Sequence, residues 1–265
     1  MRSVSSARME TLQVARRDGV VTITLDRPAK KNAINAVMWD ELLATLREIS
    51  LAPTTDRVVV LTGANGEFCS GADLSAGGGP ARHQYHAMKH VGDVALALHK
   101  LPQPTIAKVR GVAVGAGCNM ALGCDLVVAG ETARFSQIFA RRGLSLDFGG
   151  SWLLPRLVGM QRAKELAFFA DIIGATEAER IGLVNRVLPD ADLDAFVDDW
   201  AQRLAAGPPI ALAMSKRLLN NSLNVTMEEA LDDEGLSQTV NFGTKDTAEA
   251  MMAFIEKRQP DFRGA

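Results

Sequence analysis

The sequence predicts a mixed α/β fold: a strand–helix–strand half followed by a largely helical one. Three observations carry that expectation. The runs at residues 58–62, 105–109 and 126–129 are short and mostly apolar, as strands covered on both faces of a parallel sheet are. Segments of helical period separate them, the alternation that right-handed crossovers produce. Beyond about Gly143 the signals turn helical, with one strand at 183–187 breaking in.

The elements follow in order. Residues 12–14 and 20–25 are β-branched runs joined through Arg16-Arg17-Asp18-Gly19, a hairpin with Asp-Gly at its turn. Arg27-Pro28 ends the second strand. Met38, Leu42, Leu46 and Ile49 then mark one face of a helix, with Asn35 placed as its N-cap. After the strand at 58–62 comes a glycine-rich loop over 63–79, a helix over 82–100 and the punctuation of Pro102 and Pro104. The strand at 105–109 leads into a turn, a helix, a second turn and the strand at 126–129. Helices are expected over 160–170, 176–181, 193–206, 210–222, 226–242 and 247–257. Pro208-Pro209 and the capping box Thr226-Met227-Glu228-Glu229 punctuate that stretch. With 265 residues the chain can hold one large domain, or a core with an appendage. A soft division into 1–200 and 201–265 fits the change of character.

Charge and composition exclude several functions. There are 29 basic and 31 acidic residues, a formal net charge of −2, and no run of five like charges. Neither a nucleic-acid footprint nor an anionic-membrane patch is present. The three cysteines, Cys69, Cys118 and Cys124, are odd in number and lack CxxC spacing, which fits a reduced, cytoplasmic protein better than a disulfide scaffold or a zinc site. No signal peptide and no membrane span is expected.

Three glycine-bearing segments could carry chemistry: Phe68-Cys69-Ser70-Gly71-Ala72-Asp73-Leu74, Gly115-Ala116-Gly117-Cys118-Asn119, and Gly143 to Gly150. Small residues where a strand ends and a helix starts let a ligand approach the backbone. Two N–H groups from two loops can converge on one oxygen as an oxyanion hole. The same glycines could equally serve tight turns. Neither GxGxxG nor GxxxxGK[ST] occurs, so a nucleotide phosphate cradle is not indicated.

The segments RPAKKNAIN (27–35), GEFCSGADL (66–74) and GVAVGAGCNMALGCDLVVAG (111–130), with AFIEKRQPDF (253–262) at the end, resemble the crotonase, or enoyl-CoA hydratase/isomerase, superfamily over residues 12–262. The resemblance implies a spiral of ββα units, making 1–200 an acyl-CoA-binding core and 201–265 a helical trimerisation region. It also implies assembly as a trimer or a hexamer. Substrates would be coenzyme A thioesters, with no metal or further cofactor, since coenzyme A arrives as part of the substrate. The oxyanion donors would be the amides of Ala72 and Ala116. Ser70, Gly71, Asp73, Leu74, Gly115 and Gly117 would line the substrate beside them.

Hydratases of this family resemble one another in two glutamates. Their places here hold Asn119 and Phe139. Hydration needs a base for the water and an acid for C2, and neither residue can move a proton. Asp147, among glycines and apolar residues, is the carboxylate left in a suitable place, where burial would raise its pKa. A helix cap is the competing role. Asp at this place with Asn at 119 is similar to the epoxide isomerase of phenylacetyl-CoA breakdown and to Δ3,Δ2-enoyl-CoA isomerases. That implies an isomerase moving a proton on Asp147, with Asn119 and Phe139 shaping the pocket. An enoyl-CoA hydratase with atypical residues and a non-catalytic acyl-CoA binder are the alternatives.

Other residues admit two readings each. Arg27 and Lys30 could touch the phosphates or pantetheine of coenzyme A, or be solvated loop charges. Phe254 and Lys257 could reach its adenine end, in the same or a neighbouring subunit, or belong to core and helix surface. His83, His86 and His90 share one helical face, where metal binding, pocket lining and a solvated face all compete, with Tyr85 beside them. Cys69 and Cys118 read as small packing residues, and Trp39, Trp152 and Trp200 as core or interface.

Overall fold

A computed structural model describes residues 5–74 and 83–265 of the chain. The first hairpin forms as its sequence dictates. β2 (Leu12–Arg17) pairs antiparallel with β3 (Val20–Leu25), and Asp18 and Gly19 take φ of 51° and 82°, as a tight turn with two left-handed positions requires. β1 (Ser5–Arg8) extends the sheet beyond β2. The Asn35 side chain accepts from the Met38 amide and starts α1 (Ala36–Ser50), which buries Met38, Leu42, Leu46 and Ile49. β4 (Val58–Gly63) and α2 (Gln84–His99) follow, then β5 (Thr105–Val109), β6 (Val112–Val114), α3 (Ala116–Leu122), β7 (Leu126–Gly130) and β8 (Arg134–Ser136). After a 3-10 turn at Ile138–Arg142 come α4 (Gly150–Val158), α5 (Met160–Phe169), β9 (Ile173–Gly174), α6 (Ala175–Arg180) and β10 (Arg186–Leu188). Four helices close the chain: α7 (Leu193–Ala205), α8 (Pro209–Asn221), α9 (Met227–Phe242) and α10 (Lys245–Glu256).

Two ladders run side by side. The larger has the order β1-β2-β3-β4-β5-β7-β10, parallel from β3 onward. The smaller has the order β6-β8-β9, and bridges extend it from Cys69 to Ala113 and from Ala72 to Ile34. Each turn of chain therefore lays one strand in the first ladder and a short one in the second before a helix returns it. This is the spiral of ββα units expected from the resemblance. Strands β6, β8 and β9 are three residues or fewer, too short for a period-2 pattern, so their sequence reads as turn or helix.

The core lies on both faces of the larger sheet. On one side α1, α2 and α3 cover Ile23, Leu61 and Val109; on the other α7 packs Leu193, Val197, Ala201 and Ala205 on Val58, Ile106 and Val128. The division expected after residue 200 falls inside α7, so the sheet-packed part of the chain continues to Ala205. The capping box at Thr226 is formed, its hydroxyl accepting from the Glu229 amide. Leu231 and Leu236 on α9 remain 54% and 66% exposed. All three cysteines are free and buried. Among the described residues no helix is long and apolar enough to cross a membrane.

Candidate active site

Glycine lets two loops meet at the centre of the smaller ladder. The Cys69 amide donates to the Val112 carbonyl, and the Val114 amide returns a bond to Cys69, at 2.8 and 3.0 Å. On the other edge the Ile34 amide donates to Gly71, and the Asp73 amide donates to Ile34, both at 2.8 Å. Ala72 lies between, so its own N–H points away from Ile34. Gly71 has φ +96°, and a Cβ there would stand 2.9 Å from the Val114 carbonyl oxygen and 3.9 Å from the Ala116 amide nitrogen. Gly117 is as tight from the facing side: a Cβ would lie 2.6 Å from the Cys69 carbonyl oxygen. Any side chain at either position would push the two backbones apart. Ala116 opens α3, where the first amides have no intrahelical acceptor. Gly115 holds the turn before it, with φ 57° and ψ −126°, and donates its amide to the Ser136 carbonyl at 2.9 Å. The amides of Ala72 and Ala116 thus belong to two segments in contact, neither bonded to another described residue.

Asp147 is tied to α3 through its carbonyl. Asn119, fully buried and one helical turn after Ala116, donates from its side-chain amide to the Asp147 carbonyl at 2.9 Å. α4 presses against the same residue, since a Cβ on Gly150 would sit 2.3 Å from the Asn119 Nδ2. Between them Phe148 takes φ +46°, a left-handed conformation costly for a bulky residue. Its buried ring stacks on Trp39, centroids 5.6 Å apart. The helix-cap role is not realised: Gly149 occupies the N-cap of α4 and no side chain caps it. Instead the Asp147 Oδ1 is buried without a hydrogen-bond partner among the described residues, and burial raises the carboxyl to about 6. A carboxylate held there can take up and release a proton near neutral pH.

The remaining candidates are placed as follows. Arg27 pairs with Asp73 at 2.9 Å and donates to the Ala33 carbonyl, so these two charges brace the loop rather than face solvent. The Ser70 hydroxyl donates to the Lys30 carbonyl at 3.1 Å, tying the loop to the Lys30 turn. Lys30 and Leu74 are exposed. Phe139 is buried, and its ring lies 3.7 Å from where a Gly115 Cβ would be, so it packs on the turn before Ala116. Phe254 is exposed on α10, and Lys257 caps that helix in a left-handed conformation; no contact among the described residues joins either to the two loops. His83 caps α2, His86 is exposed, and His90 faces Asp40 on α1. Among the described residues no cluster of three or more His, Cys, Asp or Glu could hold a metal. Burial pushes the thiols of Cys69 and Cys118 up to about 12, as packing residues require. Trp39 is core, while Trp152 stacks edge-on with His99 and Trp200 packs on Phe196.

Two residues of the site carry no clear signal in the sequence. Phe148 reads as one more apolar residue, though its position between Asp147 and a glycine pair hints at a strained turn. Gln137 is 2% exposed beyond β8, and its partners lie on α3, eighteen and nineteen residues away.

Comparison with known proteins places the chain in a family and a fold. The enoyl-CoA hydratase/isomerase family model matches residues 15–265. A protein of Rhodobacter capsulatus named a probable enoyl-CoA hydratase is 40% identical over 96% of this chain and 98% of its own. The 1,2-epoxyphenylacetyl-CoA isomerase of Escherichia coli K12 is 36% identical over 93% of this chain and 95% of its own. The crystal structure of an enoyl-CoA hydratase from Bacillus anthracis superposes with a TM-score of 0.89 at 33% identity, covering 99% of both chains.

Proposed function

The chain belongs to the enoyl-CoA hydratase/isomerase family, and from that premise we propose that it is an acyl-CoA isomerase that moves one proton on Asp147. The observation that carries the reading is a single buried carboxyl raised to about 6, beside positions where Asn119 and Phe139 offer no second acid or base. Of the carboxylates near the seam, Asp73 pairs with Arg27, and Glu67 accepts the Val112 amide and pairs with Lys31.

The proposed step runs on a 3-enoyl-CoA. The thioester oxygen accepts from the amides of Ala72 and Ala116. The Asp147 carboxylate takes a proton from C2, and the electron pair of that C–H bond flows into an enolate whose negative oxygen the two amides hold. Neutral Asp147 then returns the proton to C4, and the double bond lies between C2 and C3. No water is added, so one carboxyl suffices. In a ring-modified acyl-CoA the same enolate would drive the rearrangement. Gly71, Gly115 and Gly117 admit the thioester, while Ser70, Asp73, Leu74, Asn119 and Phe139 shape its surroundings. Arg27, Lys30, Phe254 and Lys257 are assigned to the coenzyme A side, Arg27 through its brace on Asp73.

A hydratase reading is favoured by the names of several relatives, and one assay separates the two. Ultraviolet absorbance of the conjugated thioester follows 3-enoyl-CoA isomerisation and 2-enoyl-CoA hydration alike. We expect isomerisation to be the faster; dominant hydration would reject the proposal. Tight binding without turnover of either would leave an acyl-CoA binder. We further propose that the exposed apolar faces of α9 and α10 are covered in a trimer or hexamer. A stable monomer of about 28 kDa by light scattering at micromolar concentration would contradict this.

A further inference from the structure

The end of β8 reaches both halves of the site. The Ser136 carbonyl accepts the Gly115 amide at 2.9 Å, fixing the turn before Ala116. The next residue, Gln137, donates its side-chain amide to the Asn119 Oδ1 at 2.8 Å and approaches the Cys118 sulfur at 3.4 Å. Asn119 in turn donates to the Asp147 carbonyl at 2.9 Å.

The direction of this chain is forced. A backbone carbonyl can only accept, so Asn119 must present its NH2 group to Asp147. The Asn119 oxygen is then left needing a donor in a buried site, and the Gln137 NH2 supplies it. Turning the Gln137 amide over would set oxygen against oxygen. The orientation has a visible cost: the Gln137 Oε1 is buried without a partner among the described residues. An acceptor left orphaned so that the NH2 can point at Asn119 marks the orientation as imposed.

We propose that Gln137 is a positioning residue for Asp147, acting through Asn119. The relay holds the Asp147 carbonyl while Phe148, strained at φ +46° and anchored on Trp39, holds the next residue. Together they keep the carboxyl in its buried place rather than letting the loop turn it to water. Because Ser136 sets the turn before Ala116, one strand end keeps the base and the Ala116 amide in register. The kinetic consequence rests on the isomerase reading above; the geometry does not depend on that reading.

The variant Gln137→Met keeps the length and loses the donor. On a 3-enoyl-CoA we expect kcat to fall roughly 10- to 100-fold with KM within about threefold, since a small misplacement of a catalytic group costs turnover and not binding. A second readout needs no substrate. The protonated carboxyl C=O band of Asp147, assigned by its absence in Asp147→Asn, is titrated by infrared spectroscopy. It should titrate near 6 in the parent protein and at least one pH unit lower in Gln137→Met, as water reaches a loosened carboxyl. If the parent turns over no acyl-CoA, the isomerase reading fails and the band alone decides on Gln137. An unchanged band, or an unchanged kcat where the parent is active, overturns the proposal. Should Gln137→Met not fold, Asn119→Ala cuts the relay at its other link. The same fall in kcat and the same downward shift of the band are then expected, and the absence of either overturns the proposal in the same way.

Discussion

The two ends of the proposed site, an oxyanion end and a proton-transfer end, are built from different materials. The amides of Ala72 and Ala116 are backbone, set by the ladder bonds of Cys69 and Gly71 and by glycines that no side chain can replace. The other end hangs on one side chain, Asp147, on a loop without regular structure between a 3-10 turn and α4. The first end fails only if two segments are pushed apart, and the residue identity at 72 or 116 barely matters. The second can be abolished by changing one atom, or altered in chemistry by changing its neighbours. A family that keeps the first end and varies the second can keep thioester activation while changing the reaction. Asn119 and Phe139, at the places where the resemblance implies two glutamates, would be a variation of that kind.

The largest expected effect is at the side-chain end. Asp147→Asn keeps the volume and removes the proton carrier, so kcat should fall about 10²–10⁴-fold. Acyl-CoA affinity should stay within a few-fold, because Ala72 and Ala116 are untouched. Stability should move the other way. No cap is lost, and a buried carboxylate whose burial is unfavourable is replaced by a neutral amide. Gains of about 1 kcal/mol, or a Tm about 2–4 °C higher, are expected at pH 7 by calorimetry. A variant that melts earlier with unchanged activity per folded molecule would make Asp147 a structural residue.

The backbone end breaks differently. In Gly117→Ala the new methyl carbon has the Cys69 carbonyl at 2.6 Å and the Cys69 Cβ at 2.7 Å, contacts that only backbone movement can relieve. Loss or displacement of one oxyanion donor is worth about 10²–10³-fold in kcat. Overpacking adds a stability loss of about 1–3 kcal/mol. We expect both together, with weakened binding of acyl-CoA and an earlier melt. Activity and Tm equal to the parent would show that the two loops have more freedom than the contacts allow.

Legibility in the sequence divides along the same line. The hairpin at Asp18-Gly19, the Asn35 cap, the buried strands and the Thr226 capping box are local, each settled by a few neighbouring residues, and each is readable. At the backbone end the glycine spacing around Gly71 and Gly117 leaves tight turns and an oxyanion hole both open, and only the resemblance points to the amides of Ala72 and Ala116. Asp147 can be located from sequence but its role cannot. Whether a carboxylate caps a helix or stays unpartnered depends on Gly149 taking the cap position and on Asn119 reaching across from α3. Gln137 and the Phe148–Trp39 stack are invisible because they join segments 18 to 109 residues apart, and nothing in one stretch of sequence records such a pairing. The second ladder escapes for a simpler reason: strands of two or three residues have no period to read.

The smallest effect expected is a pH dependence, and it tests the side-chain end alone. The carboxyl of Asp147 is raised to about 6 by burial, against an ordinary value near 4 for an unfolded chain. Only the carboxylate can accept the C2 proton, so kcat/KM for the 3-enoyl-CoA should be flat above about pH 6 and fall roughly tenfold per pH unit below it. Stability runs opposite. Between about pH 4 and 6 the folded chain retains a proton that the unfolded chain has released, so this group's contribution is most favourable below pH 4. It declines as pH rises to 6, and is constant above. Asp147→Asn should erase that decline, leaving parent and variant alike at pH 4 and separated at pH 7. The backbone end has no titrating group, so acyl-CoA binding should change little across the same range. A kcat/KM limb near 4, with no difference between the two stability profiles, would mean that Asp147 is as solvated as an ordinary surface carboxylate. The distinction between the two ends would then rest on geometry alone.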